Sequence, residues 1–358
     1  MPISSRPYWV IGQSKVKGNT YAQEGAPDMD NGDTWFDPVT GKIYYFYDGK
    51  FINSPSYAKG YAAGGFNGLP VSTIERIEFP FDAGFAELIG NLNASMYGSA
   101  QCNSSLFGYS LGGRSIGTTL HSYISKYLFP FDGGTTEFVA NLSNSKRIGS
   151  SGFNSSAHGF VAGGEGLTKL YSNIDRITFP FDSGPSTHIT DMSSEREQVS
   201  AVNATNHGYT IGGVQSGVVY MSLIERQTFP FDSGVADQVG QMSGSRIATG
   251  GTNSSQYGYI TGGATTGYYS FVSRILFPFH TGTAENAGNL STTRGYTANA
   301  NSKDEGFTMG GLSNNYFSSV ERYSYPFDSG AATHTGNLNT SKYNCVGNDQ
   351  SDFVVQFV

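Results

Sequence analysis

Apolar and polar side chains alternate along Ile174 to Phe181: Ile177, Phe179 and Phe181 project one way, Arg176, Thr178 and Pro180 the other. A period of two is the mark of a half-buried strand. Proline has no N–H for a ladder, so Pro180 predicts the point where this strand leaves its pairing. Three further short apolar runs surround it, Gly149 to Phe153, Gly159 to Ala162 and His188 to Met192, split by Gly, Ser and Asn clusters that read as turns. The pattern predicts four strands in about fifty residues and no helical period.

The same unit recurs down the chain. Its most constant phrase appears as Phe79-Pro80-Phe81-Asp82, Phe129-Pro130-Phe131-Asp132, Phe179-Pro180-Phe181-Asp182, Phe229-Pro230-Phe231-Asp232, Phe277-Pro278-Phe279-His280 and Tyr325-Pro326-Phe327-Asp328. Successive phrases start 50, 50, 50, 48 and 48 residues apart. A Gly-aromatic pair followed by Gly-Gly precedes each phrase, as in Gly159-Phe160 and Gly163-Gly164. Four antiparallel strands repeated at this period describe an all-β fold, a β-propeller of six or seven four-stranded blades, and the Gly-Gly doublet after strand two resembles the kelch version, so a kelch-like β-propeller is expected. The usual strand-four tryptophan is missing, since Trp9 and Trp35 both lie outside the repeats.

The ends decide the blade count. Lys342 to Val358 supplies strands one and two of one more unit, with Asp352-Phe353-Val354-Val355 in the strand-two position. Lys42 to Asp48 lines up with Arg76 to Asp82, so seven blades are favoured, the last built from both chain ends. Phe353 to Val358 is then expected to pair near the N-terminus, because an unpaired edge is a liability. The rival is six blades plus a separate hairpin. The expected organisation is an extended arm at 1–32, a β-hairpin module at 33–55 that joins the closing blade in the seven-blade reading, and the propeller at 56–358.

Composition narrows the function class. Only 14% of the 358 residues are charged, against a usual ~25%. Net charge is -7 and the isoelectric point near 5.3, which argues against nucleic acid. No apolar run reaches the length of a membrane span, and Met1 to Tyr21 lacks a signal-peptide core. Two cysteines, Cys102 and Cys345, make no disulfide framework, and synthesis in a reducing cytoplasm is expected. The six histidines lack metal-ligand spacing, and Asp28, Asp30 and Asp33 fail the calcium-loop pattern at Gly32. Neither metal nor cofactor is expected, and no catalytic constellation is visible.

Two sets of cations repeat. Arg76, Lys126, Arg176, Arg226, Arg274 and Arg322 precede the proline phrase by three; Lys146, Arg196, Arg246, Arg294 and Lys342 follow strand four, with Met96 in the first unit. Their recurrence in every unit favours structural pairing with the acid after the phrase. In a propeller, the loops joining strands two to three and four to one share one face. That face carries the variable loops, with Tyr171, Tyr220, Tyr268, Tyr269, Tyr316 and Phe317 at their tips. Rigidly mounted aromatics suit recognition of a glycan or protein surface; packing between blades is the alternative. Tyr8, Trp9 and Val10 are the aromatic and apolar anchors of the arm, expected to order against a partner chain.

From Ser56 to Val358 the phrases resemble the kelch-like repeat proteins of marine bacteriophages, cyanophages above all. The match runs through Ser156-Ala157-His158-Gly159-Phe160, Gly163-Gly164, Ile174-Asp175-Arg176, Phe179-Pro180-Phe181, Met192 and Arg196. Gly32-Asp33-Thr34-Trp35-Phe36-Asp37 with Gly41 to Gly49 is similar to a β-hairpin module of phage tail fibres. The resemblance implies a non-enzymatic virion protein, a tail or tail-fibre component. It also implies an arm that contacts other tail proteins, a propeller facing a host glycan or protein, and a homo-oligomer within the particle. A collar or capsid decoration, or a bacterial kelch-like or lectin-like adaptor, are the alternatives.

Overall fold

The computed structural model describes residues 20–22, 33–37, 42–47, 50–53, 59–117, 119–143 and 148–350. Two compact units divide the chain, 1–58 with 352–358, and 59–351. In the first, four strands form one sheet. Thr20–Ala22 runs parallel to Thr34–Asp37, which pairs antiparallel with Lys42–Tyr47, itself paired with Lys50–Asn53.

The second unit is a six-bladed β-propeller of four-stranded antiparallel sheets. Blade 3 shows the pattern: Ser151–Asn154, His158–Ala162, Asn173–Thr178 and Thr187–Asp191 pair in sequence order. Strand three stops at Thr178, short of Pro180, where the missing N–H would have broken the ladder. Blades 2, 4, 5 and 6 begin at Ala100, Ser200, Gly250 and Ala298. The first strands of consecutive blades pack side by side around the axis.

The count is six, not the favoured seven. Val346–Gln350 pairs antiparallel with Lys59–Ala63 and becomes strand one of blade 1, which is completed by Thr73–Glu78 and Glu87–Asn91. The first repeat lacks its own strand one, and the last repeat carries one to spare. Lys42–Tyr47 pairs in the separate N-terminal sheet and adds no blade. The pairing expected of Phe353 to Val358 lies outside the described residues.

The repeated phrases are the contact between blades. The strand-two aromatic of each blade stacks on the first ring of the proline phrase in the next. Ring centroids are 5.3 Å apart for Tyr61–Phe129, Tyr109–Phe179 and Phe160–Phe229, 5.4 Å for Tyr209–Phe277 and 5.1 Å for Tyr259–Tyr325. Phe307–Phe79, at 4.6 Å, closes the circle. Four of the tyrosines also accept a backbone N–H from the same phrase, for instance Phe279 N to Tyr209 Oη at 2.9 Å. The glycine before each aromatic makes room: a Cβ on Gly159 would sit 3.0 Å from the Phe179 ring. The Gly-Gly pairs turn the chain out of strand two at positive φ, 65° and 102° for Gly163 and Gly164.

The two cation sets have different partners. Outer cations reach the acid after the next blade's phrase: Arg76–Asp132, Lys126–Asp182, Arg176–Asp232, Arg274–Asp328 and, across the closure, Arg322–Asp82. Arg226 meets His280 instead and turns also to Asp237 at 3.1 Å. Inner cations are fully buried against an acid on strand three: Arg196–Glu225, Arg294–Glu321 and Lys342–Glu75. Met96 stands where that acid column holds Ser125. Arg246 faces Ser273 at 2.6 Å and the carbonyls of Gly262 and Phe271; with no carboxylate there, burial pulls it down to about 10. Lys146 lies outside the described residues.

Two stability predictions follow from burial. Glu225→Ala strands the buried Arg196 charge and is expected to cost ~3–5 kcal/mol. Asp232→Ala, on the exposed ladder, should cost under ~1 kcal/mol. Urea unfolding at neutral pH measures both. Deleting Val346–Val358 removes strand one of blade 1 and the 2.6 Å hydrogen bond from Asn348 Nδ2 to Tyr127 Oη. That truncation is expected to lower stability by several kcal/mol and to expose an edge that aggregates, seen by calorimetry and light scattering.

Candidate functional site

The axis has two unlike ends. On the face of the one-to-two and three-to-four loops, an asparagine ends or nearly ends strand one in five blades. Backbone N–H groups donate to the next asparagine's Oδ1: Asn103 to Asn154 at 3.3 Å, Asn154 to Asn203 at 3.0 Å, Asn203 to Asn253 at 2.7 Å and Asn253 to Asn301 at 2.6 Å. Asp349 takes the sixth place and accepts from Asn301 Nδ2 at 3.2 Å. Burial drives its carboxyl up to about 7 against these donors, which pull it down.

At the other end, each two-to-three loop is bridged to the stretch entering its own blade, as in Tyr97–Arg114, Ile148–Glu165 and Glu197–Val214. The next residue of that stretch turns toward the axis with a left-handed backbone: Gly98, Gly149, Gln198, Ala248, Tyr296 and Asn344 have φ of 68°, 68°, 53°, 55°, 58° and 54°. A belt of backbone hydrogen bonds joins them, Gly98 N to Asn344 O, Asn344 N to Tyr296 O, Tyr296 N to Ala248 O, Ala248 N to Gln198 O and Gly149 N to Gly98 O, at 2.8–3.2 Å. Val199 N completes it, reaching Gly149 O at 3.4 Å. Four non-glycine residues held at positive φ in one ring mark a conformation imposed by the fold, the kind of outlier that accompanies functional sites.

This belt frames a cavity of about 280 Å³ lined from all six blades. One sector holds a carboxyl pair. Glu197 is hydrogen-bonded to Glu165, and burial and the Glu165 charge push it up to about 7. A chain of polar contacts continues from it: Gln198 Nε2 lies 3.5 Å from Glu197 Oε1, and Tyr296 Oη donates to Gln198 Oε1 at 2.7 Å. Arg114 also lines the cavity, its Nε turned to Gly117 O at 3.0 Å. The Ser150 hydroxyl in the lining is buried and has no partner.

Aromatics occupy the opposite arc. Tyr343 meets Phe66 at 5.5 Å, Tyr296 at 5.8 Å and Tyr316 at 5.2 Å, and Phe66 meets Tyr97 at 5.2 Å. Of the aromatics expected on the variable loops, Tyr316 is exposed in this arc. Tyr220 and Tyr268 pack beside Tyr296 on Val214, Ile247, Ala248 and Ala264. The other three lie in local contacts. Tyr171 is covered by Lys169 at 5.1 Å, Tyr269 stacks on Phe271 at 5.5 Å, and Phe317 lies under the Arg294 guanidinium at 4.6 Å. Tyr8, Trp9 and Val10 lie outside the described residues.

Sequence reading did not single out Glu165, Glu197, Gln198, Tyr296 or Tyr343. The repeat offered no clear signal for them: the column of Gly98, Gly149, Gln198, Ala248, Tyr296 and Asn344 varies, and so does the column before it, Tyr97, Ile148, Glu197, Ile247, Gly295 and Tyr343. Among the described residues, no helix is long and apolar enough to cross a membrane, and no group of three or more His, Cys, Asp or Glu is set to hold a metal. Cys102 and Cys345 are buried and unbridged.

No protein-family model matches the chain, and no curated protein matches it. Among solved structures, "Structure of YjhT" superposes with a TM-score of 0.61 at 9% identity, covering 72% of this chain and 88% of that one. At that identity the likeness is one of fold, a kelch-like β-propeller.

The two raised carboxyls give a pH dependence of definite sign. The folded state holds protons on Glu197 and Asp349 up to about 7, whereas ordinary values are 4.5 and 3.8. Their contribution is therefore fully present below about 4 and is lost as pH rises through about 7. Melting temperatures from pH 4 to 8 are expected to fall further for the native chain than for Glu197→Gln with Asp349→Asn. Parallel curves for the two proteins would refute the assignment.

Proposed function

We propose that this chain is a non-enzymatic recognition propeller carried on a bacteriophage particle as a tail or tail-fibre component. Its axial mouth on the variable-loop face would meet a host surface. Residues 1–32 are the segment that docks on other virion proteins, with copies of the chain arranged as a homo-oligomer. One observation carries the reading: six nearly repeated blades converge on a mouth whose lining is not repeated. A rigid ring whose sequence diverges at the mouth is suited to selecting a ligand, because the framework fixes positions while loops vary chemistry. The repeat phrases and the tail-fibre-like hairpin support the carrier. A kelch-like adaptor outside any virion would use the same mouth, so mouth and carrier are separate claims.

Changing Tyr220, Tyr268 and Tyr316 together to Ala is expected to leave particle assembly intact and to reduce adsorption to host cells at least ~10-fold, since loss of an aromatic anchor commonly costs more than ~1 kcal/mol. Adsorption assays on particles whose ring still unfolds cooperatively measure this. Normal adsorption would reassign the ring to a structural collar, and absence of the chain from purified particles would remove the virion from the reading.

A further inference from the structure

Among the described residues, no cation is paired with either member of the carboxyl pair. Glu165 and Glu197 come from different stretches of blades 3 and 4, and a proton held between them takes the place that a counter-charge would fill. Among the described residues, Arg114 is the one arginine in the lining, and it is tied to its own loop. Ser150 lines the same cavity next to Gly149; it is 8% exposed, and its buried hydroxyl has no protein partner. Two carboxylates and a hydroxyl make three acceptors in one cavity. An –NH₃⁺ group has three donors. Tyr296 lines the same cavity, with Tyr220 and Tyr268 beside it, and aromatic rings favour both the carbon skeleton and the charge of an organic cation. A bare divalent ion fits less well, because calcium takes six to eight oxygen ligands.

We propose that the mouth binds a primary ammonium group, seated on Glu165, Glu197 and the Ser150 hydroxyl with the rings of Tyr296, Tyr220 and Tyr268 alongside. The inference rests on the mouth being the ligand-binding face and names its ligand class. Binding replaces the shared proton with the ammonium, so one proton passes to solvent and both carboxyls become ionised. Affinity therefore rises with pH. The charged and titratable groups around the pair among the described residues are Arg114, Tyr296 and, through Tyr296, Tyr220, Tyr268 and Tyr343. Tyr296 is itself held up at about 12 by burial and stays neutral throughout this range.

The test is calorimetric titration of the full chain with cyclohexylmethylamine, which stays cationic to pH 9, against the neutral isostere cyclohexylmethanol. The amine is expected to bind ~10-fold or more tightly than the alcohol. Its affinity should rise ~10-fold from pH 6 to pH 8, with proton release read from the buffer dependence of the heat at pH 6. Glu197→Gln should abolish the pH dependence, and Ser150→Ala should weaken binding while keeping it. Equal binding of amine and alcohol overturns the proposal, as does displacement of the amine by millimolar calcium, which would identify a metal site. Amine binding alongside normal adsorption of the tyrosine variant would uphold the ligand class while removing host recognition. Lost adsorption with no amine binding would uphold recognition and overturn the ligand class.

Discussion

Every blade leans on the next through one stacked pair of rings, and the propeller depends on that contact. Each repeat supplies both halves: a strand-two aromatic facing forward and a proline-phrase aromatic facing back. Such a pair is worth ~0.5–1.5 kcal/mol beyond its burial. Its larger effect is geometric. The ring must close, and the Phe307–Phe79 stack at 4.6 Å joins residues at opposite ends of the repeat array as tightly as any internal pair. Gly60, Gly108, Gly159, Gly258 and Gly306 each face a ring of their own blade, and Gly208 faces Phe153 of the blade before, in the space a Cβ would need.

Charge is distributed by depth. The outer ladder of Arg–Asp pairs is partly solvated, so its members repeat with tolerance, and His280 can stand for aspartate. The inner pairs are dry, and there the columns change together: uncharged Met96 and uncharged Ser125 fill corresponding positions, whereas Arg196 meets Glu225. A buried charge without its partner costs more than the pair contributes. Arg246 is the exception. It is held by carbonyls and the Ser273 hydroxyl and pays for the missing carboxylate with a depressed proton affinity.

The mouth inverts this logic. Its backbone belt repeats around the whole ring, yet the side chains mounted on it do not, so an identical frame presents carboxyls in one sector and tyrosines in another. Holding Gln198, Ala248, Tyr296 and Asn344 at positive φ is unfavourable for each alone. The belt and the bridged loops outside it impose that geometry on all six, glycine or not. Recognition chemistry thus varies without disturbing closure.

The sequence by itself determined the all-β class, the four-strand unit, the place where strand three ends at its proline and the structural role of the outer cation ladder. All of these are local or repeat with the chain, and period-two alternation and a spacing near fifty report them directly. Tertiary structure decided the rest. Six blades rather than seven followed from Val346–Gln350 pairing with Lys59–Ala63, a contact between chain ends that alignment of Lys42 to Asp48 with Arg76 to Asp82 could not weigh. The sorting of Tyr220, Tyr268 and Tyr316 from Tyr171, Tyr269 and Phe317 depended on which neighbour each ring found. Glu165 and Glu197 stand far enough apart in sequence to look unrelated. They meet only because the ring brings a loop of one blade to the entrance of the next, where burial first, and the Glu165 charge second, shift Glu197 toward neutrality.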